Sequence, residues 1–131
     1  MPLIIRDPKA EKAMTSEALV DLVDVYPTLC NLANLEKPAH LQGKSFHALF
    51  DNPTSKHRQF SYTRFKNGES IKDTNFRYTQ YFDSTGMVTS DMLYDHKDDP
   101  AENNNVVTDN EYTGQIEGLK QKLGEIMQPI P

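Results

Sequence analysis

Ser16–Leu35, SEALVDLVDVYPTLCNLANL, carries the densest apolar pattern of the 131 residues and decides how the rest reads. Leu19, Leu22, Val23, Tyr26, Leu29, Cys30 and Ala33 recur at steps of three and four, the period of an amphipathic helix. Pro27 interrupts that reading. An interior proline removes a hydrogen bond and clashes with the preceding turn, at about 3 kcal/mol, whereas in a first turn its missing N–H has no partner to lose. The stretch therefore divides. Ala18–Leu22 reads as a short extended segment. A helix is predicted over 24–35, with Asp24 capping its exposed amides. Leu29, Leu32 and Ala33 then face a core supplied from elsewhere, and Pro38 and the turn-like Gln42-Gly43 follow.

Working outward, Leu3-Ile4-Ile5 is a continuous apolar run that suits a strand buried on both faces, stopped by Asp7-Pro8. An ordinary edge strand is the alternative. Lys9–Thr15 is a polar surface connection. Lys44–Phe50 is predicted as a short helix with Phe46, Leu49 and Phe50 inward, ended by Asp51-Asn52-Pro53. From residue 55 the pattern changes to a period of two. Gln59–Phe65, QFSYTRF, puts Phe60, Tyr62 and Arg64 on one face. Asn67-Gly68 is a turn signal, Phe76–Phe82 alternates along its length, and Met92–Tyr94 gives a third short strand. A last helix is predicted from Glu111 to Met127, where Ile116, Leu119, Leu123, Ile126 and Met127 recur at helical spacing. Gly114, Gly118 and Gly124 each weaken it by about 1 kcal/mol relative to alanine, so packing has to stabilise it. The fold class is α+β. An orphan strand, helix 24–35 and short helix 44–50 occupy 1–54. A small antiparallel sheet of three or four strands, packed by the C-terminal helix, occupies 55–131.

Composition excludes several functions. A net charge of −5 argues against a nucleic-acid partner, which needs a basic patch. No apolar run approaches the ~20 residues that span a bilayer, and Leu3–Ile5 is too short for a signal peptide. A single cysteine excludes an internal disulfide; Cys30, on a helix beside leucine, reads as a buried small hydrophobe rather than a nucleophile. His40, His47, His57 and His96 lack metal-ligand spacing and read as surface or rim residues. Asp91, Asp95, Asp98, Asp99 and Glu102 lack the spacing and turn glycine of a calcium loop and read as turn-and-cap chemistry. Asp21 and Asp24, three apart, read as helix-start caps before they read as an acid–base pair.

The segment VDVYPTLCNLANL, followed by an L-x-G-K-S turn with an apolar tail (Leu41, Gly43, Lys44, Ser45, Phe46, Leu49, Phe50), resembles the C-terminal third of a sulfatase. That family reads D-x-x-P-T-L-x-x-L-A-G and then G-x-S-L. Asn34 stands where glycine is usual, and asparagine is the next best residue for a left-handed helix end. PLIIRDP at Pro2–Pro8 and FRYTQYFD share the resemblance. So does LYDHKDDPAENNNV, in which Leu93, Tyr94, Asp95, Asp99, Pro100, Glu102 and Asn103 match a motif that closes the last strand. The iduronate-2-sulfatase branch is the one most resembled.

The resemblance implies an alkaline-phosphatase-like sulfatase fold, with 1–54 the end of the main α/β domain and 55–131 the C-terminal subdomain. It implies a sulfuric ester hydrolase acting on sulfated glycans, with calcium and formylglycine as cofactors of the complete enzyme. The missing N-terminal sulfatase domain and a sulfated carbohydrate are the implied partners. A periplasmic, secreted or lysosomal compartment follows from the same source. No catalytic residue or metal ligand is implied for this chain. Cys30 is followed by Asn-Leu-Ala-Asn, not by the x-P-S/A-R of the formylglycine motif, and the family's calcium-binding aspartates lie upstream of these elements. The chain by itself is expected to be inactive. Ser61-Tyr62-Thr63-Arg64 is similar to a shortened S-Q-Y-P-R segment, which implies substrate contact by Tyr62 and Arg64, with Arg77 competing for the role. An arginine fork matches two carboxylate or sulfate oxygens. On its residues alone the plainer reading of Arg64 is an outer sheet face. Two other readings stand beside the enzyme: a small module binding acidic glycans through Arg64, Lys66, Arg77 and exposed aromatics, and a docking domain using helix 24–35.

Overall fold

Pro27 lies in the first turn of its helix, where its lack of an N–H costs nothing. The computed structural model describes residues 3–127, and the chain divides into two compact units, Met1–Arg58 and Gln59–Pro131. In the first unit a 3-10 turn, Leu22–Asp24, runs straight into α1, Val25–Leu32. The helix stops short of residue 35 because Asn34 adopts a φ of +53°. Leu35 N–H then donates to the Cys30 carbonyl at 2.8 Å and Asn34 N–H to Asn31 at 3.1 Å. That pair of bonds satisfies the last carbonyls of the helix.

Other expectations for this unit are corrected. Ala18–Leu22 is extended only in part: Leu19 bridges Arg58, while Leu22 is already helical. The short helix α2 is Ala48–Asp51, not 44–50, because the backbone before it is tied to side chains of the first helical segment. The orphan strand does not form. Residues 3–7 have no regular structure and Ile4 is 89% exposed. A strand without neighbours has no ladder to satisfy its backbone. The buried side of α1 is Pro27, Thr28 and Cys30, which share this unit's interior with Phe46 and Leu49. Leu29 is 49% exposed and Ala33 is exposed, so within this unit that face is largely open, as a face whose core is supplied from elsewhere would be.

The second unit is a four-stranded antiparallel sheet in the order β1-β2-β3-β4. Its strands are β1, Ser61–Phe65; β2, Gly68–Lys72; β3, Phe76–Phe82; and β4, Val88–Asp95. A 3-10 turn at Asn110–Tyr112, capped by the Asp109 side chain, leads into α3, Thr113–Met127. Ile71, Tyr78 and Leu93 from three strands meet Leu119 and Leu123 of α3 in one core. The β1–β2 loop is Lys66-Asn67, one residue before the expected turn, so Phe65 pairs with Gly68. Gly68 serves a close approach rather than a turn angle: a Cβ there would stand 2.9 Å from the Tyr81 ring. The acidic segment after β4 is turn chemistry. The Asp99 carboxylate accepts from Asn104 N–H at 2.7 Å and from the Asn103 amide at 3.0 Å.

Candidate functional site

Alternation places Tyr62 and Arg64 on one face of β1, and the register sets Arg64 directly opposite Glu69 on β2. Glu69 is only 6% exposed. Its carboxylate is satisfied from β1: the Tyr62 hydroxyl donates to Oε2 at 2.5 Å and Arg64 Nε donates to Oε1 at 2.5 Å. One buried carboxylate therefore fixes two side chains. The Arg64 side chain nevertheless stays 63% exposed, so the guanidinium is braced from beneath and open above. Burial, with the Glu69 hydrogen bond and charge added, pushes the Tyr62 hydroxyl up, so it stays a neutral donor.

The same row continues across the sheet. Gln80 on β3 pairs with Glu69 and Asp91 on β4 pairs with Gln80. The Tyr78 hydroxyl donates to Asp91 at 2.9 Å, and burial together with that carboxylate pushes the phenol far up. Gln80 is 6% exposed. Its amide opposes the rise at Tyr78, yet its Nε2 reaches no acceptor with hydrogen-bond geometry.

Arg77 does not join Tyr62 and Arg64. It neighbours Tyr78, whose side chain enters the core, and so projects from the other face of β3. There its Nε lies 3.0 Å from Glu102, which also holds the His96 ring nitrogen at 2.6 Å.

The first unit holds a second buried carboxylate, Asp24, with no exposure at all. It does not cap α1 as predicted, since its side chain accepts none of that helix's own amides; as the last residue of the 3-10 turn it reaches back to accept the Asp21 N–H at 3.0 Å. It also accepts Lys44 N–H at 2.8 Å, the His57 ring nitrogen at 3.1 Å, and the fork of Arg58, whose Nε lies 2.6 Å away and whose Nη2 meets the other oxygen. Burial alone would raise the Asp24 carboxyl, but Arg58, the two backbone amides and His57 outweigh it and hold the group well below the usual carboxylate range. Thr28 completes the joint, donating to the Asp24 carbonyl at 2.6 Å and accepting Phe46 N–H at 3.0 Å. Gly43 makes the approach possible, since a Cβ there would lie 1.9 Å from the Val23 carbonyl oxygen. The aspartate, threonine and glycine of the D-x-x-P-T and G-x-S segments are thus one clasp.

His57 and His96 are corrected from rim residues to largely buried ones, their side chains 9% and 13% exposed. Sequence spacing tests histidines only against metals and says nothing of carboxylate partners. Glu69 also went unrecognised; its signal lies in the hairpin register, which a one-residue error in the turn obscures. Among the described residues no three of His, Cys, Asp and Glu stand together to hold a metal ion. Asp24, engaged by Arg58 and His57, does not fit calcium, and the Cys30 thiol is buried in α1.

Residues 1–129 match the family described as N-sulphoglucosamine sulphohydrolase, C-terminal. The chain belongs to that family. It is 32% identical over 138 residues to an N-acetylglucosamine-6-O-sulfatase of Bacteroides thetaiotaomicron, covering 95% of this chain and 24% of the relative. It is 28% identical over 126 residues to a Delta 4,5-hexuronate-2-O-sulfatase of the same bacterium, covering 86% and 25%. A solved 2-O GAG sulfatase shares the fold with a TM-score of 0.65 at 25% identity, over 79% of this chain and 24% of that one. A structure in complex with its substrate D-glucosamine-2-N,6-O-disulfate gives 0.70 at 24% identity, over 80% and 23%. This C-terminal sulfatase domain spans about a quarter of the length of the curated relatives it matches. Its sheet and terminal helix are the C-terminal fragment of the alkaline-phosphatase-like fold.

Proposed function

We propose that this domain is the C-terminal portion of a hydrolase that removes sulfate from glycans, of the iduronate-2-sulfatase-like kind, and that Tyr62 and Arg64 contact its substrate. The observation that carries the site is the Arg64 guanidinium, braced by a buried carboxylate and 63% exposed. A side chain in that state presents a fixed fork to a carboxylate or sulfate without first losing its rotamer freedom. The relatives named for N-acetylglucosamine-6-O and hexuronate-2-O sulfates support a sulfated sugar as the ligand class. The hexuronate relative and the 2-O GAG sulfatase favour the 2-O-sulfated uronate among these. Arg77, held by Glu102 on the other face, is left out of this site.

The reacting groups, calcium and the formylglycine among them, would come from sequence outside these 131 residues, and the chain alone would then be inactive. The N-terminal sulfatase domain is the partner in this reading. The exposed apolar stripe of α1, with Tyr26 at 54% and Leu29 at 49% exposure, supports docking onto it.

The test compares the 131-residue chain with the longest in-frame protein containing it, assayed for sulfate release from a 2-O-sulfated hexuronate disaccharide. Release by the longer protein alone is expected. In it Arg64→Ala should raise KM about tenfold with a smaller change in kcat. Release by the short chain, or an unchanged KM, would overturn the assignment.

A further inference from the structure

Asn67-Gly68, at the tip of the β1–β2 hairpin, is the one place in the chain where an asparagine precedes a glycine. That pair is the most reactive in asparagine deamidation, because no side chain shields the glycine nitrogen and its backbone turns freely. The fold requires both residues. Gly68 lies under the Tyr81 ring, where a Cβ would stand 2.9 Å from ring carbon Cε1. The Asn67 carbonyl accepts Phe82 N–H at 2.9 Å, and the Asn67 side-chain amide donates to the Phe82 carbonyl at 2.9 Å. Asn67 is itself exposed. Lys66 before it holds a φ of +54° without being glycine, so the closed tip carries strain.

The fold also restrains the reaction. Phe65 and Gly68 flank a two-residue loop, so the Gly68 N–H closes the turn on the Phe65 carbonyl. The attacking nitrogen is thus tied to β1 and the leaving amide to β3. We propose that Asn67 is a site of spontaneous deamidation, gated by opening of the hairpin tip, and that the product loosens Arg64 from Glu69. Once both ties part, the Gly68 nitrogen gives up its proton and attacks Asn67 Cγ. The new C–N bond closes a succinimide, the Cγ–Nδ2 bond breaks, and Nδ2 leaves as ammonia with the proton Gly68 gave up. Water, the only co-reactant, then opens the ring to aspartate or isoaspartate. Aspartate sets a carboxylate against the Phe82 carbonyl in place of a donor. Isoaspartate adds a carbon to the backbone inside the loop whose register sets Arg64 opposite Glu69. None of this depends on what Arg64 binds.

The test incubates the 131-residue chain in mildly alkaline buffer, folded and in urea, and follows residue 67 by peptide mass mapping with isoaspartate detection. Hydrogen exchange at Gly68 is measured alongside in the folded chain. Both reactions need the same nitrogen to leave its turn bond and lose its proton. Conversion is therefore expected to be slower folded than in urea by at least the Gly68 protection factor, about ten- to a hundredfold. Asn67→Asp should lower that protection factor about three- to tenfold, through the lost donor to Phe82. In the isolated isoaspartate form the Arg64 Nε–H resonance should move toward that of a free arginine side chain. Conversion faster than Gly68 protection permits, conversion confined to the unfolded chain, unchanged protection in Asn67→Asp, or an unmoved Arg64 resonance would overturn the proposal.

Discussion

Each unit buries a carboxylate against an arginine, and the pairs differ in what lies above them. Asp24 is enclosed, and its partner Arg58 is only 18% exposed. Glu69 is enclosed, but its partner Arg64 is 63% exposed. Asp24 gathers three separate pieces of chain, at Asp21, Lys44 and His57-Arg58, two of them through backbone amides. Glu69 gathers two side chains from the adjoining strand and no distant segment. The first arrangement makes structure where the apolar interior is small. The second sits beside a core of Ile71, Tyr78, Leu93, Leu119 and Leu123 that holds its unit without it. A buried charge pair is therefore a clasp in one unit and a bracket in the other.

The largest effect expected from this contrast is at Asp24. Asp24→Ala leaves the Arg58 guanidinium with only the Asp21 carboxylate, 3.5 Å away, strips the His57 ring nitrogen of its partner, and should cost about 3–5 kcal/mol. Urea unfolding followed by signals from the first unit measures it. A cost below about 1 kcal/mol would mean that the clasp is not what holds these segments. Leu123→Ala, from a side chain with no exposure, is expected to cost about 2–5 kcal/mol in the second unit. There an apolar deletion should outweigh Glu69→Gln, which leaves the exposed arginine free to turn to water and should cost about 1 kcal/mol. If Glu69→Gln matched Asp24→Ala, the distinction between clasp and bracket would fail.

Acid sharpens the same contrast. The folded Asp24 carboxyl lies below its unfolded value, so the stability it contributes is fully present above the unfolded pKa of about 3.9 and is lost as pH falls below it toward the folded value. Asp24→Asn should therefore trail the natural chain by a constant margin above about pH 5, and the gap should close below about pH 4. Denaturant midpoints taken across that range read it directly. A gap that persists unchanged at about pH 3 would show that Asp24 acts through shape rather than charge.

What was legible in the sequence was local. Pro27 announced a first turn, Asn34 a left-handed helix end, and the aromatic alternation of Phe76–Phe82 a strand, because each needs only its neighbours along the chain. What stayed hidden depended on distance. The partners of Asp24 lie 33 and 34 residues away, and no spacing rule joins an aspartate to His57 and Arg58. β2, GESIK, has no aromatic residue to mark it. Placing the loop at Asn67-Gly68 would have set Arg64 against Ile71 instead of Glu69, so a small shift in a turn conceals the brace of the site. The apolar run Leu3–Ile5 reads as a strand in any sheet, and among the described residues of its own unit no sheet is present to receive it.

The smallest expected effect on stability bears on the open side of α1. Leu22, Tyr26 and Leu29 stand four and three residues apart and are 67%, 54% and 49% exposed, with Val23 at 54% beside them. This stripe is apolar enough for a core yet faces solvent, unlike Leu119 and Leu123, which are enclosed by their sheet. Leu29→Ser in the 131-residue chain should change stability by no more than about 0.5 kcal/mol, since little contact is lost. It should also reduce self-association, read by sedimentation, because an exposed apolar patch is shortened. In the longer protein the same substitution should cost about 1.5–3 kcal/mol if another layer covers the stripe and removes this leucine from water. The comparison turns on the difference between the two measurements. A cost in the longer protein alone would identify α1 as a surface made to be covered; equal, near-zero costs in both would leave it a solvent face and remove the docking role from the helix.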